Sequence, residues 1–315
     1  MNARDTMCSK VQAYLEYRRT AGFALKVEAQ QLFRFARFVD ESGYRGPLTI
    51  ELASRWAMAS KFGRRLTAAR RIEILRGFAR YCQIFDSAAE IPPLRLFGPG
   101  HRRLTPHIYT DREIRSLMAS AYSLFPLGGL RGVTCATIFG LIAATGLRIA
   151  EATGLKRSDV DLEEGLLQIR NAKFGKSRLV PLHPTATRAL RRYAKRRDRD
   201  PSSAITDAFF VFDYGRAATT RSLQYAFELL RNKLKWRARG GHLAPRIQDI
   251  RHTFVCRRLE RWYKDGLNVD RNILALSTYI GHAKVTDTYW YVTATPDLMA
   301  IAARRLKPPM TGGRP

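Results

Sequence analysis

The amino-acid sequence predicts a mainly α-helical protein in two domains, the second carrying a small antiparallel sheet. Three observations lead there. Apolar residues recur at spacings of three and four through residues 9–86 and again in several segments after residue 109, the period of a helix that buries one face. The stretch IPPLRLFGPGHRRLTPH, residues 91–107, breaks the pattern with prolines and glycines, as a linker does. And 315 residues exceed what one hydrophobic core organises, about 250–300. The expected division is residues 1–92, a linker at 93–108, and residues 109–315.

The first domain is expected to hold four helices: VQAYLEYRRTAGFA, VEAQQLFRFARFVDESG, LTIELASRWAMAS and LTAARRIEILRGFARYCQIF. In the second of these, Leu32, Phe33, Phe35, Ala36 and Phe38 make an apolar face, with Arg34 and Arg37 off it. Arg64, Arg65, Arg70, Arg71, Arg76 and Arg80 crowd the fourth. A basic run alone describes a solvated face as well as a binding one. Recurring across a whole small bundle, it points to phosphate contact.

The second domain opens at TDRE, where Thr110 as N-cap and Glu113 three residues on form a capping box. TCATIFGLIAA, residues 134–144, is apolar nearly all round, so it is expected at the buried centre. LLQIRNAKFGKSRLVPL reads as two strands around a glycine-containing turn, and AFFVF as a short strand. TRSLQYAFELLRNKLKWRARG reads as a helix striped by Leu223, Phe227, Leu230 and Leu234, with Arg221 near its start and Lys233 and Lys235 in its basic last turns. Residues 247–263 repeat the design with Ile250, Phe254, Leu259 and Trp262.

Lys and Arg number 55 against 27 Asp and Glu, a formal charge of +28. Such an excess repels itself unless a polyanion compensates, which makes DNA or RNA the natural partner. A membrane is not expected, because the longest apolar run, Val133 to Leu147, is shorter than the roughly 20 residues of a span. The N-terminus MNARDTMCSK lacks the apolar core of a secretion signal. Cys8, Cys82, Cys135 and Cys256 are scattered without metal spacing; they read as reduced thiols, and the protein as cytoplasmic.

Arg148 follows directly on the most apolar helix, and Arg251 sits inside an apolar-striped one. A guanidinium leaving a domain centre needs an anion nearby. For Arg148 that is either Glu151, as a buried pair, or an external phosphate. Two such arginines suit a clamp on one phosphate, stabilising a five-coordinate phosphorane by bidentate bonds.

Order and spacing of these residues resemble the tyrosine recombinase/phage integrase family over the whole second domain. ATGLRIAEATGLKRSDVDL is similar to its first arginine box, AKFGKSRLVPL to its β-hairpin lysine segment, IQDIRHTF to its second box and IGHAKVTDTYWY to its last. The resemblance implies Arg148 and Arg251 as the catalytic arginines, Lys173 as the lysine rather than Lys176, and His282 as the histidine. It implies Tyr291, nine residues after His282, as the nucleophile. Lys176 joins Arg64, Arg65, Arg70, Arg71, Arg221, Lys233 and Lys235 as candidate DNA contacts. Geometry agrees that one tyrosine serves: on a helix, positions two apart lie about 200° apart, so Tyr289 and Tyr291 face opposite ways. Which of them faces inward is left open by geometry.

The implied fold is a SAM-like helical core-binding domain followed by an α+β catalytic domain of the DNA breaking-rejoining type, the two forming a clamp on duplex DNA. The implied chemistry is cleavage through a 3′-phosphotyrosyl bond, with Lys173 protonating the 5′-hydroxyl or simply neutralising a phosphate. Two arginines and a histidine bring the positive charge a metal would supply, so neither metal nor cofactor is implied. Gln248 stands where the family's second box usually has histidine; it can donate or accept a hydrogen bond but cannot carry a proton. His252 points about 100° from Arg251 on a helix and reads as a structural histidine, while His183 and His242 are given no role. Four protomers on two duplexes, joined by a C-terminal helix TPDLMAIAARRL, are implied, with other recombinases as further candidate partners. Thr295 as N-cap, Pro296, and a face of Leu298, Met299 and Ile301 suit that exchange, though the helix could also fold back on its own domain. The expected function is site-specific recombination of a mobile element. The rivals are a type IB topoisomerase acting as a monomer, and a binding-only relative disabled by Gln248.

Overall fold

The computed structural model describes residues 6–59, 65–101, 103–170, 177–293 and 299–300. The chain forms two units, Met1–Arg103 and Leu104–Pro315.

The first unit is four helices: α1 (Met7–Thr20), α2 (Lys26–Glu41), α3 (Ile50–Met58) and α4 (Arg65–Phe85). Thr6 and Thr49 start α1 and α3, their hydroxyls accepting from the backbone N–H of Ser9 and Leu52; such caps satisfy donors a helix start leaves unpaired. Val11, Leu15, Leu32, Phe35, Trp56, Leu75 and Phe78 fill the core. On α2 the apolar face is graded, with Leu32, Phe35 and Ala36 buried while Phe33 and Phe38 pack at its edge.

The α4 arginines are partly engaged inside this unit. Arg65 and Arg70 are exposed but donate to the carbonyls of Phe97 and Gly100. Arg71 lies over the Trp56 ring at 4.8 Å and donates to the Trp56 carbonyl. Arg64 lies outside the described residues. Ile91, Leu96 and Phe97 pack against the first core, whereas Thr105 accepts from the Gly241 N–H of the second unit. The expected linker is therefore shared between the units, its apolar side chains packing on the first core while the Thr105 carbonyl bonds within the second unit.

In the second unit α5 (Asp111–Ala121) opens with the Thr110–Glu113 capping box. Helix α6 (Leu130–Thr145) buries ten of its residues, since α5, α8 (Pro184–Arg197) and α10 (Gln248–Lys264) all pack on it. A short α7 (Ile149–Thr153) leads into the sheet, β1 (Val160–Asp161), β2 (Leu166–Ile169) and β3 (Arg178–Pro181), antiparallel in that order. Leu167, Ile169 and Val180 face the core, as period-two alternation requires. Residues 171–176, between β2 and β3 and including Lys173 and Lys176, lie outside the described residues.

Two expectations fail here. AFFVF is not a strand: Phe209, Phe210 and Val211 are buried, but only single bridges, Lys156–Ala208 and Val211–Ala217, tie the segment to its neighbours. Extended pairing stops where Tyr214 turns with φ 61°. Helix α9 (Thr220–Lys233) ends earlier than its basic tail suggests, because Lys235 takes φ 51°, which no right-handed helix accommodates. Lys235 thus lies beyond the helix, exposed like Arg221 and Lys233, and the Lys233 ammonium donates to Ser123. Helix α11 (Val269–Ile280), α12 (Thr286–Tyr289) and a 3₁₀ turn (Trp290–Thr293) complete the unit. Most of the expected C-terminal helix, including Thr295, Pro296, Leu298 and Ile301, lies outside the described residues. Among those described, no helix is long and apolar enough to cross a membrane.

Candidate active site

Two helix ends create the site. Helix α6 stops at Gly146 and α11 at Gly281, both left-handed at φ 66° and 70°. Glycine suits these positions on two counts: the positive φ, and the lack of room. A Cβ on Gly146 would sit 2.5 Å from the Phe254 ring, and one on Gly281 2.6 Å from the Arg178 guanidinium.

Helix C-termini leave carbonyls unpaired and concentrate partial negative charge, and the arginines converge on them. Arg251, in the first turn of α10, donates Nη1 to Gly146 O at 2.6 Å and Nη2 to Ile280 O at 2.8 Å. Arg148, the N-cap of α7, donates Nη2 to Gly281 O at 2.9 Å. The two guanidiniums thus meet neighbouring carbonyls. Arg251 is only 2% exposed. Burial, with Arg148 adding to it, lowers its pKa to about 10, so it remains a cation at neutral pH.

Glu151 balances this charge. It accepts from Arg148 Nη1 at 2.8 Å and from Arg178 Nη1 and Nη2 at 3.1 and 2.9 Å. Arg178 also donates to Tyr279 O, tying β3 to α11. The pairing with Glu151 is present, and the Arg148 side chain nonetheless keeps 25% exposure, so it is not closed to solvent. Burial would raise the Glu151 carboxyl, but the bonds from Arg178 and Arg148 outweigh it and hold the group below its ordinary 4.5.

His282 follows Gly281, and its Nδ1 pairs with Thr288 Oγ1 at 2.8 Å. Its ring lies nearly parallel to Tyr291, 13° between planes at 6.1 Å. Tyr291, on the 3₁₀ turn, is 3% exposed, and its hydroxyl lies 2.7 Å from His252 Nδ1. Tyr289 faces the other way, 40% exposed, donating to Asp270 at 2.9 Å. Burial first, then Arg251 and Arg148, pushes His282 down to about 4. His252 is also pushed down to about 4, mainly by burial. Both imidazoles are neutral at pH 7.

Arg148, Arg251, His282 and Tyr291 are therefore brought together, with Gln248 half-buried at the start of α10. Lys173 lies outside the described residues. Three residues here make contacts that the sequence did not reveal. Arg178 lies within the lysine segment, but nothing local marks it as a partner of Glu151. Glu151 itself was weighed only as a competitor for Arg148. His252 was read as structural, and its ring meets the tyrosine hydroxyl. The available signal was its spacing: four residues after Gln248, it shares that residue's helix face.

The model of the phage integrase family matches residues 108–297. The provisionally named integrase/recombinase y4rB of Sinorhizobium fredii is 36% identical over 96% of this chain and 98% of its own length. Tyrosine recombinase XerC of Chlamydia trachomatis is 30% identical over 71% of this chain and 66% of its own length. Among solved structures, XerH site-specific recombinase bound to its difH substrate matches 94% of this chain and 84% of that one, at TM-score 0.66 and 19% identity. The Tn1549 transposon integrase in complex with transposon right-end DNA matches 94% and 99%, at TM-score 0.65 and 19% identity. At that identity the likeness concerns the fold: helical units with a small antiparallel sheet. The chain belongs to the phage integrase family and is a site-specific recombinase of the tyrosine type.

Proposed function

We propose that this recombinase cleaves duplex DNA with Tyr291 as nucleophile, forming a 3′-phosphotyrosyl bond and releasing a 5′-hydroxyl. The observation that carries the reading is the disposition of the two tyrosines. The Tyr291 hydroxyl is enclosed with two histidines beside the paired arginines, while that of Tyr289 points away to Asp270. Arg148 and Arg251 hold the scissile phosphate through the N–H groups not used on carbonyls, and concentrate positive charge where the phosphorane forms. His282 and the Gln248 amide donate to its oxygens. Lys173 protonates the leaving oxygen. The covalent bond keeps the energy of the broken phosphodiester, so a different 5′-hydroxyl can rejoin the strand without a nucleotide cofactor.

Duplex DNA is the substrate. The charge of +28 supports that reading, as do the exposed Arg65 and Arg70 of the first unit and Arg221, Lys233 and Lys235 of the second. Arg71, spent on Trp56, is a weaker candidate contact. Lys176 and Arg64 complete the set proposed from sequence. Strand exchange takes four protomers on two sites, with the segment after Thr293 joining them, and the DNA moved is a mobile element. The test is an SDS-resistant adduct on a nicked duplex selected from a randomised pool by its binding to the chain. Tyr291→Phe should bind that duplex but form no adduct, and Tyr289→Phe should form one. The opposite pattern would reverse the assignment.

A further inference from the structure

We propose that His252 is a catalytic residue, the group that takes the proton of Tyr291 as the tyrosine attacks phosphorus. The proposal rests on the reading of Tyr291 as the nucleophile. It adds the proton's destination, which Gln248 cannot be.

The geometry is direct. His252 Nδ1 lies 2.7 Å from the Tyr291 hydroxyl, within the range for transfer. The two rings are 5.4 Å apart. His252 is anchored on α10 one residue after Arg251, so the helix that places a phosphate-binding cation also places the proton acceptor. Gln248, one turn earlier on the same face, stands where a histidine would face the same chemistry.

The electrostatics set the direction. On α10, Asp249 and Arg251 act on the imidazole with opposite signs; before it, Arg246 and His242 both disfavour its cation. His282 and Tyr291 face it from the segment after α11. The imidazole is neutral, and in its Nε2–H tautomer Nδ1 accepts from the phenol. A phosphodiester drawn in by Arg148 and Arg251 adds a negative charge beside the ring, which favours the imidazolium. The base therefore strengthens when substrate arrives.

The step balances. The Tyr291 oxygen forms its bond to phosphorus as its proton passes to His252 Nδ1. The bond from phosphorus to the 5′-oxygen breaks, and Lys173 protonates the leaving oxygen. On rejoining, the protons return: the 5′-hydroxyl gives one to Lys173 and the tyrosine recovers its own from His252.

The rate of adduct formation on the selected nicked duplex is the measurement, with the full-length chain and H252A, H252N and Y291F. H252A should be slower at pH 7 by ~10²-fold or more. Its deficit should shrink as pH rises toward the range in which a free phenol ionises, about 10, because hydroxide then does the work of the base. H252N, which restores a hydrogen bond without basicity, should stay slow at pH 7. A deficit constant from pH 6 to 9, a native rate in H252A, or full rescue by H252N would each overturn the proposal. An adduct formed by Y291F, or none by the native chain, would instead remove the nucleophile reading beneath it. Nitrogen NMR of the native chain gives a check that survives a poorly folded variant. One unprotonated Nδ1 signal among the six histidines should move in Y291F; no movement would show that the contact is not formed.

Discussion

Replacing Glu151 by glutamine removes one charge from between two guanidiniums. The carboxylate is 7% exposed and Arg178 10%, so neither arginine can turn fully to water when its partner is neutralised. Breaking a buried pair destabilises by about 3–5 kcal/mol, chiefly through the charge left behind. Arg148 retains 25% exposure, so we take the lower end, about 3 kcal/mol. For a unit of this size each kcal/mol lowers the melting temperature by about 2–4 °C, which gives a fall of about 6–12 °C. Calorimetry of the full-length chain without DNA at pH 7 measures it. An internal comparison is Glu260→Gln, whose i,i+4 partner Lys264 is 63% exposed; that change should cost less than about 1 kcal/mol. Glu151 also predicts a pH dependence. Its folded pKa lies below its ordinary 4.5, so its contribution is complete above that value and is lost as pH falls through the folded one. The gap between native and E151Q proteins should therefore narrow on acidification below the ordinary value. An E151Q chain melting within about 2 °C of the native one at pH 7 would refute the reasoning.

If Gln248 serves by hydrogen bonding alone, Gln248→His should change adduct formation only modestly and Gln248→Ala should impair it more. A gain of ~10²–10⁴-fold in the histidine variant would show that a proton is missing at that position. Binding to the selected duplex should weaken steeply with salt, each neutralised phosphate adding about −0.9 to the slope of log K against log[salt]. A fragment of residues 1–103 should bind with a shallower slope, and a salt-insensitive full-length chain would exclude phosphate contact by both units. Truncation after Thr293 should spare binding to a single site and weaken paired-site complexes in native gels. Unchanged pairing would mean that the tail does not join protomers.

Much of the fold was legible because its signals are local. The period of three and four, the Thr110–Glu113 box and the alternation around Leu167 and Val180 act within a few residues of where they are read. The failures were local features overruled from afar. AFFVF carries strand-forming residues, but the core takes it as a buried segment tied to its neighbours only by single bridges. Helix α9 stops at a left-handed Lys235 that no propensity announces. The family boxes named Arg148, Arg251, His282 and Tyr291 by spacing, and helical geometry required Tyr289 and Tyr291 to diverge. Only packing decided which one turns inward. The site itself is long-range: Arg251 reaches Gly146 across 105 positions, Arg148 reaches Gly281 across 133, and His252 meets Tyr291 across 39. Those contacts exist because two helix ends bring bare carbonyls together and buried cations must be met by them. Sequence specifies the cations; the tertiary structure supplies the charge that holds them, and with it the histidine beside the tyrosine.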